Sequence, residues 1–268
     1  MIDSVALSPA FGVEFTGVTD ALDDSFVHRC VEALKWRGVL LVRGLHLDDE
    51  QQLAFSRRMG EVVALGGQEI FPISINPEKS KTAKYLRGAF YWHLDGTSDD
   101  IPVKATTLTA RQIAMTGGGT DFASTYAAYE SLPEKERERY EGLRVVHSFE
   151  ATQRLVTPDP TDEELAAWRT QPTHEVSLVW ARRDGRRSLV TGATADHVVG
   201  MDPADSRALL DELLECATQE RFRYTHDWRI GDLVVWDNTG VLHRALPYDE
   251  NSERLLHRTT VVGDEAFA

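Results

Sequence analysis

The sequence predicts a mainly β domain, a sandwich or jelly-roll barrel with flanking helices. Short β-branched or aromatic runs crowd the last two thirds of the chain. One pair of them is separated by a turn dipeptide, Asp184-Gly185, and helical periodicity is confined to a few bounded stretches. With 268 residues, 42% of them hydrophobic, a single domain spanning 1–268 can bury a sizeable core.

The elements follow in chain order. Residues 23–37 place Phe26, Cys30, Val31 and Leu34 at helical spacing, and Gly38 stops that helix. "VLLVRG" then reads as a short buried strand, and residues 49–60 return to a helical period. "GAFYW" reads as an aromatic strand that ends at His93, before a turn at Gly96-Thr97. The strands continue with threonine-rich "KATTLTARQI", then "LRVVHSF", "HEVSLVW", "RSLVTG", "GDLVVWD" and "RLLHRTTVV". Asp184-Gly185 predicts a tight hairpin with φ > 0 at both turn positions. Helices are expected at 123–141 and at 202–218, the latter opened by the cap-and-proline pair Asp202-Pro203. Residues 150–175, proline-rich with one short helix, read as a lid-like insertion.

Composition narrows the function. The chain carries 29 basic and 43 acidic residues, a formal charge of −14, which disfavours nucleic acid and anionic membranes as partners. Its two cysteines, Cys30 and Cys216, form neither a disulfide framework nor a zinc pattern. No signal peptide and no apolar run long enough to span a bilayer is recognised, so a soluble cytoplasmic protein is expected.

The tripeptide His-Leu-Asp occurs twice, and a histidine and carboxylate so spaced can share a metal ion. The first copy, at 46–48, has a sufficient structural use. Gln51 follows Asp48 by three, as a capping box requires, and the acids at 48–50 suit a helix N-terminus. The second copy, His93-Leu94-Asp95, has no helix behind it to cap and is flanked by aromatics. Of the nine histidines, His147, His174, His197 and His226 fall in strands or strand edges and read as structural, and His28 as a helix-surface residue. His243 differs because it follows a buried strand and the turn Asp237-Asn238-Thr239-Gly240. In "SERLLHRTTVV" the alternation places Arg254, Leu256 and Arg258 on one face, and Leu255, His257 and Thr259 on the other. That face either lies outside the barrel or turns inward to bind carboxylates through the guanidinium forks.

Taken together, His93-x-Asp95, His243 and Arg254 resemble the taurine dioxygenase/2,4-dichlorophenoxyacetate dioxygenase family of Fe(II)- and 2-oxoglutarate-dependent oxygenases. "GVLLVRGLHLDDEQQLAFSRRMGEV", "TGGGTDFASTYAAYESLP", "IGDLVVWDNTGVLHRALPY" and "RLLHRTTVVGDEAF" carry the likeness almost end to end. The resemblance implies a double-stranded β-helix, a jelly-roll core, with His93, Asp95 and His243 as iron ligands. Two histidines and one carboxylate leave three positions open for co-substrate and O2, which agrees with that chemistry. It further implies that Arg254 and Thr120 bind the distal carboxylate of 2-oxoglutarate, and that Arg258, Ser148 and Phe149 meet the substrate. Gly119 stands where the family often has an acidic residue.

The implied reaction hydroxylates a C–H bond of a small, anionic molecule and releases succinate and CO2. Desaturation, cyclisation or carbon–heteroatom cleavage would use the same iron site. Asp95 argues against halogenation, since halogenating relatives replace that carboxylate. Taurine itself is disfavoured, because "VVALGGQEIF" offers no counterpart to the taurine enzyme's substrate-contacting histidine and tyrosine. A non-catalytic metal-binding barrel and a metal-dependent hydrolase are the readings from other classes. Family members are often dimers or tetramers, so a homo-oligomer is expected.

Overall fold

The computed structural model describes residues 1–9, 11–64, 67–80 and 82–267. It is a mainly-sheet framework decorated by eight α-helices among those residues. A seven-stranded sheet runs in the spatial order 3–6, 13–16, 39–42, 233–237, 105–112, 255–261, 71–73. Three strands form a second sheet, with Thr120–Ser124 between Arg223–His226 and Val241–Ala245. In a third, Arg144–His147 lies between Ala195–Val198 and His174–Ser177.

Local rules account for most boundaries. Asp23 caps the helix Asp24–Arg37, and Gly38 ends it at φ 68°, in the left-handed region that glycine enters freely. Asp48 and Gln51 close a capping box on the helix Asp49–Met59. Both helices cover the large sheet through Phe26, Cys30, Leu34 and Phe55, which pack on Leu40, Val42, Leu233 and Val235. Cys30 and Cys216 are free thiols.

Four expectations are corrected. Residues 123–141 are not one helix: Thr120–Ser124 is a strand, and helices Thr125–Ser131 and Glu134–Glu141 are separated at Leu132-Pro133. Proline, having no backbone N–H, begins the second helix instead of continuing the first. "GAFYW" is not a strand. Arg87–Phe90 forms a 3-10 turn, and extended pairing is limited to a bridge at His93. At the hairpin only Gly185 has positive φ, Asp184 does not, and the loop has three residues closed by Gly185 N–H to the Arg182 carbonyl at 2.9 Å. That is the type I turn followed by a left-handed glycine, the next commonest hairpin solution.

Residues 150–175 contain two short helices where one was expected, Phe149–Val156 and Asp162–Trp168, the second with its own capping box. No helix is long and apolar enough to cross a membrane among the described residues.

Candidate active site

Residues of the large sheet and of the second sheet line one cavity of about 620 Å³. His243 comes from the Val241–Ala245 strand, and the antiparallel bridge to it holds His93 alongside. Asp95 sits in the turn that follows. Its carboxylate lies 3.9 Å from His93 Nε2 and 3.7 Å from His243 Nε2. Ligand atoms of all three lie within 4.8 Å of one another, the single such grouping among the described residues. The first His-Leu-Asp copy contributes nothing to it: His46 is in a loop against Gly231.

The surroundings prepare these groups to donate lone pairs. His93 Nδ1 donates to the Tyr91 carbonyl at 2.8 Å, which leaves Nε2 as the free acceptor. Burial, then the neighbouring His93, holds the His243 imidazole at about 3, so it is neutral near pH 7. Burial pushes the Asp95 carboxyl up. His243, Arg258 and His93, with a hydrogen bond from Thr106 at 3.3 Å, more than offset that and hold it at about 2.

Arginine placement follows the strand alternation. Arg254, Leu256 and Arg258 all line the cavity, whereas His257 turns to Asp49 and Thr259 to Ser56 beneath the helix Asp49–Met59. The inward reading of that face therefore holds. Arg254 is 2% exposed, its Nε donates to the Gly118 carbonyl at 2.9 Å, and its Nη1 has no partner. A buried guanidinium without a carboxylate is costly, and burial lowers its pKa. An added anion at that position would satisfy it.

Thr120 lines the same cavity, and its Oγ accepts from Trp228 Nε1 at 2.9 Å, leaving its own hydrogen to donate. Behind it, Trp228 packs edge-on against His226, which lies 3.3 Å from Asp232, itself paired with Arg43. Gly119 is tightly placed: a Cβ there would lie 3.0 Å from the His226 carbonyl and 3.4 Å from the Asp227 carboxylate, so its neighbours would have to give by a few tenths of an ångström.

Arg258 Nη1 is 3.6 Å from Asp95, and the guanidinium sits over the Phe71 ring. Phe149 lines the cavity and meets the Tyr85 ring at 5.8 Å. Ser148 is placed differently. Its hydroxyl caps the helix Phe149–Val156 by accepting from Ala151 N–H at 3.0 Å, and it is not among the cavity walls.

The sequence reading missed Gln153, Thr152, Thr106, Trp228 and Trp236 at or behind this cavity. Only the helical spacing of Phe149, Thr152 and Gln153 could have signalled the first two. A separate hollow of about 490 Å³ beside Trp36 shares no residue with the cavity. Several of its charges are already paired, Arg182 with Glu265 and Arg186 with Asp184.

Residues 3–260 match the model of the taurine catabolism dioxygenase TauD, TfdA family. This chain belongs to that family. A TauD/TfdA relative from Cupriavidus pinatubonensis, an alpha-ketoglutarate-dependent 2,4-dichlorophenoxyacetate dioxygenase, is 34% identical over 96% of this chain and 96% of its own. An (S)-phenoxypropionate/alpha-ketoglutarate-dioxygenase from Sphingobium herbicidovorans is 32% identical over 98% of this chain and 96% of its own. Among solved structures, AAD-2 in complex with Mn(II) and N-oxalylglycine superposes with a TM-score of 0.86 at 29% identity, covering 100% of both chains.

As a TauD/TfdA member the chain is a 2-oxoglutarate-dependent dioxygenase, and its residues fit the groups such an enzyme needs. The His93, Asp95, His243 donor set suits Fe(II), and the unpartnered Arg254 Nη1 suits a carboxylate within the same cavity.

Proposed function

We propose that this enzyme hydroxylates an unactivated C–H bond of a small anionic molecule, such as an amino acid, carboxylate, sulfonate or sulfate ester. Its framework would be one domain, residues 1–268, built on a double-stranded β-helix of the jelly-roll kind. The observation that carries the reading is the buried, unpaired Arg254 guanidinium in one cavity with the three-ligand cluster. A metal-holding scaffold without catalysis has no use for such an arginine.

Fe(II) with 2-oxoglutarate and O2 would supply the oxidising chemistry, with succinate and CO2 released. The chain's own residues do the rest. His93, Asp95 and His243 would hold the metal, the Tyr91 carbonyl fixing the His93 tautomer. Arg254 and Thr120 would bind and orient the co-substrate carboxylate, with Trp228 holding the Thr120 oxygen. Arg258 would attract the acidic group of the substrate. Leu108, Phe149, Trp236 and Leu256 line the cavity with apolar surface that excludes water. Ser148 would act on the substrate only through the helix it caps. The two helices of 150–175 would serve as a lid, since the first presents Phe149, Thr152 and Gln153 to the cavity. A homo-oligomer, which rests on family likeness alone, and a cytoplasmic location complete the reading.

The test is succinate formation from 2-oxoglutarate with ferrous iron and ascorbate, across a panel of aryloxyacids, sulfonates, sulfate esters and amino acids. Turnover that depends on one acid class is expected. Absence of substrate-stimulated succinate throughout would sink the proposal. Desaturation, cyclisation or carbon–heteroatom cleavage would show in the product from the same assay.

A further inference from the structure

Gln153 is 4% exposed and lines the active-site cavity, yet its carboxamide makes no hydrogen bond to any described residue. One turn of helix links it to two other cavity residues, Phe149 and Thr152, at the i, i+3, i+4 spacing of a single face. Thr152 Oγ is likewise buried without a partner. The opposite face is anchored elsewhere: Glu150 binds Arg154 at 2.8 Å and Arg169 at 2.7 Å, which ties this helix to its neighbour. The 3-10 turn beneath is glycine at the contact. A Cβ on Gly88 would lie 2.8 Å from the Thr152 methyl and 3.8 Å from Gln153 Nε2, so a side chain there would push the helix away.

An amide can make up to four hydrogen bonds. The Gln153 carboxamide makes none to a described residue and, unlike the enclosed Thr152 Oγ beside it, is open to the cavity, on a wall distinct from the strand that carries Arg258. We propose that Gln153, with Thr152, forms a neutral subsite that selects acids bearing a second, uncharged hydroxyl or carboxamide group. Such a group both donates and accepts, as the Gln153 carboxamide does, whereas a second charge would enter this wall without a counter-ion. The substrate is then bipolar: its anion meets Arg258, and its distal neutral group meets Gln153. This rests on the proposed function for the location of the substrate.

Binding tests it without requiring turnover. Protein loaded with Mn(II) and N-oxalylglycine is titrated calorimetrically with phenoxyacetate, 4-hydroxyphenoxyacetate and 4-carbamoylphenoxyacetate. The wild type is expected to bind the two polar probes roughly tenfold more tightly than phenoxyacetate, the scale of one or two satisfied buried hydrogen bonds. Gln153→Leu and Gln153→Met keep the volume and remove the amide, and each should erase that preference, read as the ratio of polar-probe to phenoxyacetate affinity within the same variant. An unchanged preference in either folded variant, or a wild type that binds none of the polar probes more tightly, would overturn the subsite. Binding as expected with no succinate from any acid under turnover conditions would instead sink the oxygenase reading and leave Gln153 standing.

Discussion

His93 and His243 hydrogen-bond through their backbones, each N–H to the other's carbonyl, at 3.0 and 2.9 Å. This isolated antiparallel bridge brings the ring centroids to 4.2 Å and joins a loop ligand to the rigid Val241–Ala245 strand. The pairing positions both imidazoles before any metal arrives, so binding does not have to order them.

Removing a donor from the cluster should therefore remove function without unfolding the chain. Asp95→Ala and His93→Ala are expected to abolish iron-dependent succinate formation while keeping a cooperative melt. Asp48→Ala, in the other His-Leu-Asp copy, should cost only its helix cap, about 1 kcal/mol. Equal loss of iron binding in the Asp48 variant would show that the wrong copy had been assigned.

Arg254→Lys keeps the charge but loses the fork that aims Nη1 into the cavity. The KM for 2-oxoglutarate should rise by about ten- to a hundredfold, the scale of one charge-assisted hydrogen bond. Affinity for Fe(II) alone should stay within a factor of about two, since Arg254 makes no contact with the three ligands. A steady KM would remove Arg254 from co-substrate binding.

Trp228→Phe deletes the indole N–H that holds the Thr120 oxygen at 2.9 Å and keeps an aromatic ring against His226. A several-fold rise in KM for 2-oxoglutarate is expected, with kcat less affected, alongside a stability loss of about 1 kcal/mol. A melt that shifts without any change in KM would make Trp228 purely structural.

His147 is fully buried and bonds Thr194 at 2.8 Å. Burial, then the charge of His174, lowers its pKa from 6.5 to about 4. The unfolded chain thus takes up the proton first as pH falls. The neutral imidazole's contribution is fully present above pH 6.5 and is lost progressively from there down to about 4, to a total of about 3 kcal/mol. Denaturant melts across that window should show His147→Asn with a shallower loss than the wild type, whatever its stability at neutral pH. Parallel curves would refute the assignment.

Much of this was legible in the sequence because the deciding interactions are local. The capping box spans Asp48 to Gln51, Gly38 ends its helix by its own φ, and strand alternation alone separates Arg254 and Arg258 from His257. The errors arose where distant residues overrule a local pattern. "GAFYW" has strand-forming residues, but Gly88 packs beneath the Thr152 helix and the segment turns.

The sequence by itself determined the capping box at Asp48 and Gln51, the shared strand face of Arg254 and Arg258 and, through its spaced motifs, the family. Tertiary structure alone decided that His93 pairs with His243, that Arg254 is buried without an anion, and that Gln153 opens into the same cavity. The reason is physical. Hydrogen bonds over three or four residues are written in the chain, but whether a polar group is satisfied depends on every element packed around it.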